Sequence, residues 1–281
     1  MEKLIRGGPG SEALFGSEAD DLIMDPKGND WIDARRGNDT ISAGEGSDRA
    51  IGGEGNDQIF GEEGNDDLSG DNGRNKPRIA GEDNDKLYGG PGDDVLYVGD
   101  GRDFLSGGAD NDTFVFQFHN PMPGLDNPMP GLEPRFLTPD ITTIVDFDPK
   151  EDTFAFDAVG LYNDGFGANF INNASVQSGY PVSSFYSGAA SGANGEHVVV
   201  ITDQPFTSAS AAASAISGET AGDIIVYQYN DGITRVANLA YVTSDDHAHE
   251  FAHVSFANQS GLFSLADLAG AGLTAADFTF V

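Results

Sequence analysis

A nine-residue period constrains this chain more than any other feature. From Gly28 the sequence reads GNDWIDARR, GNDTISAGE, GSDRAIGGE, GNDQIFGEE and GNDDLSGDN, without a gap through Asn72. The period runs back through GSEALFGSE (10–18) and ADDLIMDPK (19–27). It breaks at Gly73, where GRNKPRIAGE has ten residues, and resumes from Asp83 as DNDKLYGGP, GDDVLYVGD, GRDFLSGGA and DNDTFVF. Twelve units therefore cover residues 10–116. A short fixed period of this kind marks stacked repeats rather than a single irregular core.

Two places in each unit carry the physics. The third is acidic: Glu12, Asp21, Asp30, Asp39, Asp48, Asp57, Asp66, then Asn75, then Asp85, Asp94, Asp103 and Asp112. The fifth is apolar in nearly every unit, from Leu14 and Ile23 through Leu105 and Phe114, with Ile51 beside Ala50 in one unit. Each unit reads as a tight turn with Gly where positive φ is needed, then a short strand with one apolar side chain inward. One such strand buries too little to stand alone. Two units form an eighteen-residue coil, and stacked coils bury a continuous stripe. At ~4.8 Å per coil, six coils make a stack under ~30 Å long.

Stacking brings like charges together. With a strict period, Asp30, Asp48, Asp66, Asp85 and Asp103 fall in one column, and Asp21, Asp39, Asp57, Asn75, Asp94 and Asp112 in another. Six pairs are in register (21/39, 39/57, 30/48, 48/66, 85/103 and 94/112), and 66/85 would span the irregular unit. Carboxylates ~5 Å apart repel by roughly 1–3 kcal/mol per pair at surface-like dielectric. A hard dication between successive coils converts that repulsion into attraction. The donors are carboxylates and backbone carbonyls of the turn glycines Gly28, Gly37, Gly46, Gly55, Gly64, Gly92 and Gly101. That oxygen set suits Ca²⁺ rather than zinc or copper. About six or more Ca²⁺ ions are expected. In residues 71–82, Asn75 is a neutral ligand among Arg74, Lys76 and Arg78, and Pro77 removes a ladder donor; a looped-out defect with a weak or missing site is expected there.

Composition narrows the partners. The chain of 281 residues has 46 acidic against 14 basic side chains, a formal charge of −32. No basic surface exists to neutralise phosphate, which argues against nucleic acid and anionic membranes. No run of apolar residues is long enough for a membrane-spanning helix. The stretch Met1–Gly10 lacks the apolar centre of an ordinary secretory signal. There is no Cys, so no disulfide framework and no thiolate metal site.

The repeat resembles the RTX, or haemolysin-type calcium-binding, nonapeptide GGxGxDxUx. The resemblance covers residues 10–116. It implies a parallel β-roll with Ca²⁺ in the turns, and hence an all-β protein whose roll precedes a β-rich C-terminal domain. The expected division is 1–116 roll, 117–140 Pro-rich linker and 141–281 capping domain. The linker carries an echo, Asn120–Asp126 followed by Asn127–Glu133. ITTIVDFDPKEDTFAF (141–156) resembles the segment after the roll in serralysin-type exoproteins, with Asp146, Asp148 and Asp152 as candidate cap ligands. The ending LTAADFTFV (273–281) resembles the uncleaved C-terminal signal of RTX exoproteins. It implies a bacterial protein exported by type I secretion machinery to the extracellular medium.

Between these landmarks the pattern is strand-like: HVVVITD (197–203), GDIIVYQYNDG (222–232) and ITRVANLAYVTS (233–244), with a hairpin turn at Asn230–Gly232 and a short helix within 208–217. One motif tempts toward enzymology. His249-Glu250-Phe251-Ala252-His253 satisfies H-E-x-x-H, which on a helix would bind zinc with Glu250 as general base. The metzincin extension is absent, and the alternating residues around it argue for strand. Two function classes therefore stand. The first is a secreted, non-enzymatic Ca²⁺-binding protein with an interaction, adhesion or matrix role toward extracellular polysaccharide or a cell surface. The alternative is a Ca²⁺-dependent enzyme or polysaccharide-binding module, including a zinc hydrolase built on His249, Glu250 and His253.

Overall fold

The computed structural model describes residues 3–71, 83–99, 101–116, 141–156, 180–181, 184–220, 222–229, 236–244, 246–257 and 264–280. The strands of the first part are β1 (Lys3–Arg6), β2 (Ala13–Phe15), β3 (Asp21–Met24), β4 (Trp31–Arg36), β5 (Thr40–Glu45) and β6 (Arg49–Glu54). They continue as β7 (Gln58–Glu63), β8 (Asp67–Asp71), β9 (Lys86–Pro91), β10 (Val95–Val98), β11 (Phe104–Ala109) and β12 (Thr113–Phe116). Odd and even strands go to different sheets, β1-β3-β5-β7-β9-β11 in one and β2-β4-β6-β8-β10-β12 in the other, all parallel. This is a parallel β-roll, with one nonapeptide per strand and two per coil.

The fifth-place residues stack as two internal columns. One runs Ile5, Ile23, Ile41, Ile59, Leu87, Leu105. The other runs Leu14, Ile32, Ala50, Leu68, Leu96, Phe114. From Ile23 and Ile32 onward these side chains are fully buried. Each buried Ile or Leu contributes about 1.5–3 kcal/mol, but with one per nine residues the stripe is thin.

The turns need glycine for contact as well as for conformation. Gly46 has φ of 143°, and a Cβ there would fall 1.4 Å from the carbonyl oxygen of Gly28 in the coil below. Gly46→Ala should therefore destabilise the Ca²⁺-loaded roll by about 3 kcal/mol or more. Thermal unfolding in saturating Ca²⁺ checks this. A melting temperature unchanged from wild type would show that adjacent turns are not packed carbonyl to α-carbon.

The irregular unit changes the register. β8 pairs with β10 and β7 with β9, so the step between matching positions grows from 18 to 28 residues. Asp85 therefore stands over Asp57, and Asp94 over Asp66. The expected columns are corrected here: Asp66/Asp85 is not a pair, and every column member after the insertion changes sides. The strict count treated residues 73–82 as a rung. Among the described residues β8 in one sheet is followed by β9 in the other, and β7 pairs directly with β9 and β8 with β10. Asn75, like the Pro-rich stretch 117–140, lies outside the described residues.

Neither sheet stops at residue 116. β13 (Thr142–Phe147) pairs in parallel with β11, and β14 (Thr153–Phe156) with β12. The later elements are β15 (Tyr180–Pro181), β16 (Phe185–Gly188), β17 (Val198–Ile201), α1 (Ala209–Ala213), β18 (Ile224–Gln228), β19 (Ala237–Ser244), β20 (His247–Phe256), α2 (Leu265–Gly270) and β21 (Phe278–Phe280). β20, β19, β18, β17 and β16 extend the first sheet beyond β13, and β21 and β15 extend the second beyond β14. The apolar columns run on as Ile144 and Val254 in one sheet and Phe154 and Phe278 in the other. The step from aliphatic to aromatic widens the core. Phe147 and Phe154 stack with centroids 4.0 Å apart, and Phe116 and Phe156 at 5.5 Å. The final FTF is thus a structural rung, β21. The expected helix is α1, capped by the Ser208 side chain. β18 and β19 pair antiparallel as the hairpin reading requires, while the turn at 230–235 lies outside the described residues.

Candidate metal centre

Each third-place Asp is fixed by the coil below it. The backbone N–H of Asp21 donates to Asp39 Oδ1 (2.6 Å), that of Asp39 to Asp57 (2.7 Å), that of Asp57 to Asp85 (2.8 Å) and that of Asp85 to Asp103 (3.0 Å). In the other column the series runs Glu12, Asp30, Asp48, Asp66, Asp94 and Asp112, each N–H donating to the next carboxylate at 2.6–3.0 Å. All six pairs expected in register are in register.

These bonds use one oxygen only. The Oδ2 atoms of Asp30, Asp39, Asp48, Asp57, Asp66, Asp94 and Asp112 are buried and have no hydrogen-bond partner. A buried carboxylate oxygen with no donor is costly, and seven in two columns need a common explanation. The space beside them is kept clear by the seventh place of the unit. A Cβ on Gly52, Gly61, Gly89 or Gly107 would fall 2.2–2.3 Å from the Oδ2 of Asp57, Asp66, Asp94 or Asp112. Gly70 leaves the same room beside Asp85, at 2.0 Å. Backbone oxygens surround these turns: a Cβ on Gly64, Gly92 or Gly55 would fall 1.6–1.8 Å from the carbonyls of Gly46, Gly64 and Gly37. Gly101 has the same left-handed backbone, with φ of 111°. Orphaned carboxylate oxygens beside packed carbonyls, with no nitrogen or sulfur donor, fit a hard cation such as Ca²⁺.

Electrostatics agree. Burial pushes Asp39 up to about 7 against the lowering bond from the Asp21 N–H, with the Asp21 and Asp20 charges adding to the rise. Burial likewise raises Asp48 and Asp94 to about 6, Asp57 and Asp66 to about 7 and Asp112 to about 8. Asp85 is raised well above the usual carboxylate range by burial and by the facing charges of Asp103 and Asp71. Without a cation, these groups resist being charged together.

Asp21 differs from the other expected ligands. Both its oxygens accept N–H groups, from Lys3 at 2.9 Å and Ser17 at 2.6 Å. Of the candidate cap ligands, Asp152 joins a column: the Asp112 N–H donates to its Oδ1 at 3.0 Å. Asp146 instead accepts from Ser106 Oγ and from the Gly107 N–H, and Asp148 accepts from the Lys150 N–H. A second ladder also exists that the repeat reading did not include. Second-place side chains accept from the coil above, as Asn29 Oδ1 does from the Ser47 N–H (3.1 Å) and Asn38 Oδ1 from the Asn56 N–H (2.9 Å). The recurrence of Asn before the Asp was its signal.

The H-E-x-x-H motif builds no zinc site. It lies on β20, and a bulge falls inside it. Tyr241 faces His249 whereas Asn238 faces His253, an odd offset that puts the two imidazoles on opposite faces of the sheet. Glu250 accepts a short hydrogen bond from the Tyr227 hydroxyl and lies 3.9 Å from His253 Nε2. Burial raises its pKa, but these two partners outweigh that and hold it below the usual range. The zinc-hydrolase alternative is corrected on this geometry. Among the described residues no helix is long and apolar enough to cross a membrane.

Comparison with known proteins agrees with the repeat. A model of the RTX calcium-binding nonapeptide repeat matches four times, at residues 6–41, 15–50, 42–76 and 79–114. The chain is 46% identical over 177 residues to nodulation protein O of Rhizobium leguminosarum bv. viciae, covering 60% of this chain. The match spans a little over half of that protein's length, 56%. A subunit of the mannuronan C5-epimerase of Azotobacter vinelandii aligns over 97% of this chain and 80% of its own, at 17% identity and a TM-score of 0.25. Similarity that loose carries no argument.

Proposed function

We propose that this chain, which carries the RTX calcium-binding nonapeptide repeat, is a secreted protein whose roll folds on meeting extracellular Ca²⁺. The observation that carries this is the pair of columns of buried, partnerless Oδ2 atoms. Asp30, Asp39, Asp48, Asp57, Asp66, Asp85, Asp94, Asp103 and Asp112 would hold the ions with the carbonyls of Gly28, Gly37, Gly46, Gly55, Gly64, Gly92 and Gly101, and Asp21 would close one column. About six or more ions are expected. A bound Ca²⁺ supplies positive charge between coils, so metal binding and folding share one free energy. Export by type I machinery fits this: a chain that stays unfolded in low-Ca²⁺ cytosol can be threaded out and fold outside. The folded roll with its C-terminal continuation would then present a Ca²⁺-dependent surface to extracellular polysaccharide or a cell surface.

Asp48 tests the site. It accepts from Asp30 below and its own N–H is held by Asp66 above, so Asp48→Ala should weaken two sites and interrupt stacking. The Ca²⁺ midpoint for folding should rise about tenfold or more, whereas Asp33→Ala, in the strand β4, should shift it less than about twofold. Circular dichroism titrations at fixed ionic strength compare them, since salt alone screens a diffuse charge effect. Equal shifts would reduce the acidic columns to bulk charge and overturn the proposal.

A further inference from the structure

We propose, resting on the Ca²⁺-binding reading above, that Asp25 adds a third carboxylate to the Glu12/Asp30 pair and makes it a tighter Ca²⁺ site than the other turns, at the N-terminal end of the roll. Asp25 occupies the seventh place of its unit. In neighbouring units that place is Gly16, Ala34, Ala43, Gly52 or Gly61, and its smallness leaves the room beside each column carboxylate. Here the room is filled by a second carboxylate, and a third reaches in from the preceding unit. One oxygen from each of Glu12, Asp25 and Asp30 lies within 4.8 Å of the other two.

The arrangement is not accounted for by partners within the protein. Asp25 and Asp30 are each only 4% exposed, and the Oδ2 of each is buried without a hydrogen-bond partner. Asp25 Oδ1 takes the Lys27 N–H at 3.2 Å, and the Lys27 ammonium pairs with Glu45. A Cβ on Gly7 would fall 1.8 Å from Asp25 Oδ2 and 2.9 Å from Glu12 Oε2, so both oxygens converge on one spot under the N-terminal strand. Glu12 is oriented by the Gly8 N–H at 2.8 Å. Three carboxylates converging with only backbone donors make a hard-oxygen site of higher charge than a turn with the two column carboxylates alone, and affinity for Ca²⁺ rises with ligand charge. Its place at the end of the roll would make it the first site to fill and an anchor for β1 over β3.

Trp31 supplies the readout. It follows Asp30 directly, its N–H donates to the Glu12 carbonyl at 2.9 Å, and it is the single Trp of the chain. Tb³⁺ added to the full chain, kept folded in millimolar Ca²⁺, should give emission excited through Trp at the first equivalent. In Asp25→Ala, which restores the small residue of the neighbouring units, that phase should move to at least about tenfold higher Tb³⁺. Asp25→Asn keeps the shape and should behave like the Ala variant. Circular dichroism in saturating Ca²⁺ should stay that of wild type for both. Wild-type and variant titrations that superimpose would overturn the site, as would a wild type with no early phase, which would mean that Asp25 and Glu12 merely share a proton. Either failure would leave the Ca²⁺ dependence of the whole roll, and so the proposed function, standing.

Discussion

Chelating Ca²⁺ at about pH 8 should convert the repeat region from β-roll to largely unfolded chain, the largest effect expected for this protein. The reason lies in the balance of each coil. Its apolar contribution is a few side chains, such as Ile41, Ala43 and Ala50, against the conformational entropy of eighteen residues. Its polar contribution without metal is negative, because buried carboxylates such as Asp39, Asp57 and Asp85 face one another in line. Ions that bind only the folded columns shift the equilibrium by mass action. Turns of this ligand type should give folding midpoints of about 10⁻⁴ to 10⁻³ M. Far-ultraviolet circular dichroism in chelator, followed by Ca²⁺ titration, measures both. A chain as β-rich in chelator as in millimolar Ca²⁺ would sink the argument. The aromatic core around Phe147, Phe154 and Phe278 is thicker than the roll, so residual structure in chelator should concentrate there.

Much of this was legible because it depends on a repeated identity. Asp48 and Ile41 could be assigned to turn column and core from period alone, and the structure places them so. What escaped was of three kinds. The column register failed because a ten-residue segment beginning with Gly counts as a rung by pattern, while the described columns step by 28 residues, from Asp57 to Asp85 and from Asp66 to Asp94. Asp152 was read as a candidate cap ligand, but its place in a column escaped because its DTFAF echoes the DTFVF beginning at Asp112 across a forty-residue gap, where a period cannot be followed. Asp25 escaped for the opposite reason: it departs from the repeat, and a consensus reading discards departures. The order β20-β19-β18-β17-β16 was illegible in a further sense. Strands at 198–201 and 224–228 can be read from their β-branched runs, but parallel pairing of one and antiparallel pairing of the other depend on contacts far apart in the chain.

In the absence of metal, acid should restore what Ca²⁺ normally supplies. The native carboxylates of Asp39, Asp57 and Asp66 sit at about 7, those of Asp48 and Asp94 at about 6 and that of Asp112 at about 8, while an unfolded Asp titrates near ~3.9. Between about pH 4 and 8 the folded chain therefore binds more protons than the unfolded one. The derivative of unfolding free energy with pH is then negative, so stability falls as pH rises through that window. In chelator the β signal should be strong near pH 5 and largely lost by pH 8. With saturating Ca²⁺ this pH dependence should vanish over the same window, because ion-bound and unfolded carboxylates are both deprotonated there. Protons and ions compete for the same oxygens, so the Ca²⁺ needed to load columns already folded by acid should rise as pH falls below about 7, by about tenfold per pH unit for each proton displaced. A pH trend present in chelator and absent in saturating Ca²⁺ cannot arise from an acidic tract that merely solvates the chain, since that tract would gain compactness on protonation in both conditions. Circular dichroism against pH in chelator and in fixed Ca²⁺ separates the two, and a metal-free chain equally unfolded at pH 5 and pH 8 would show that the column carboxylates are not buried against one another.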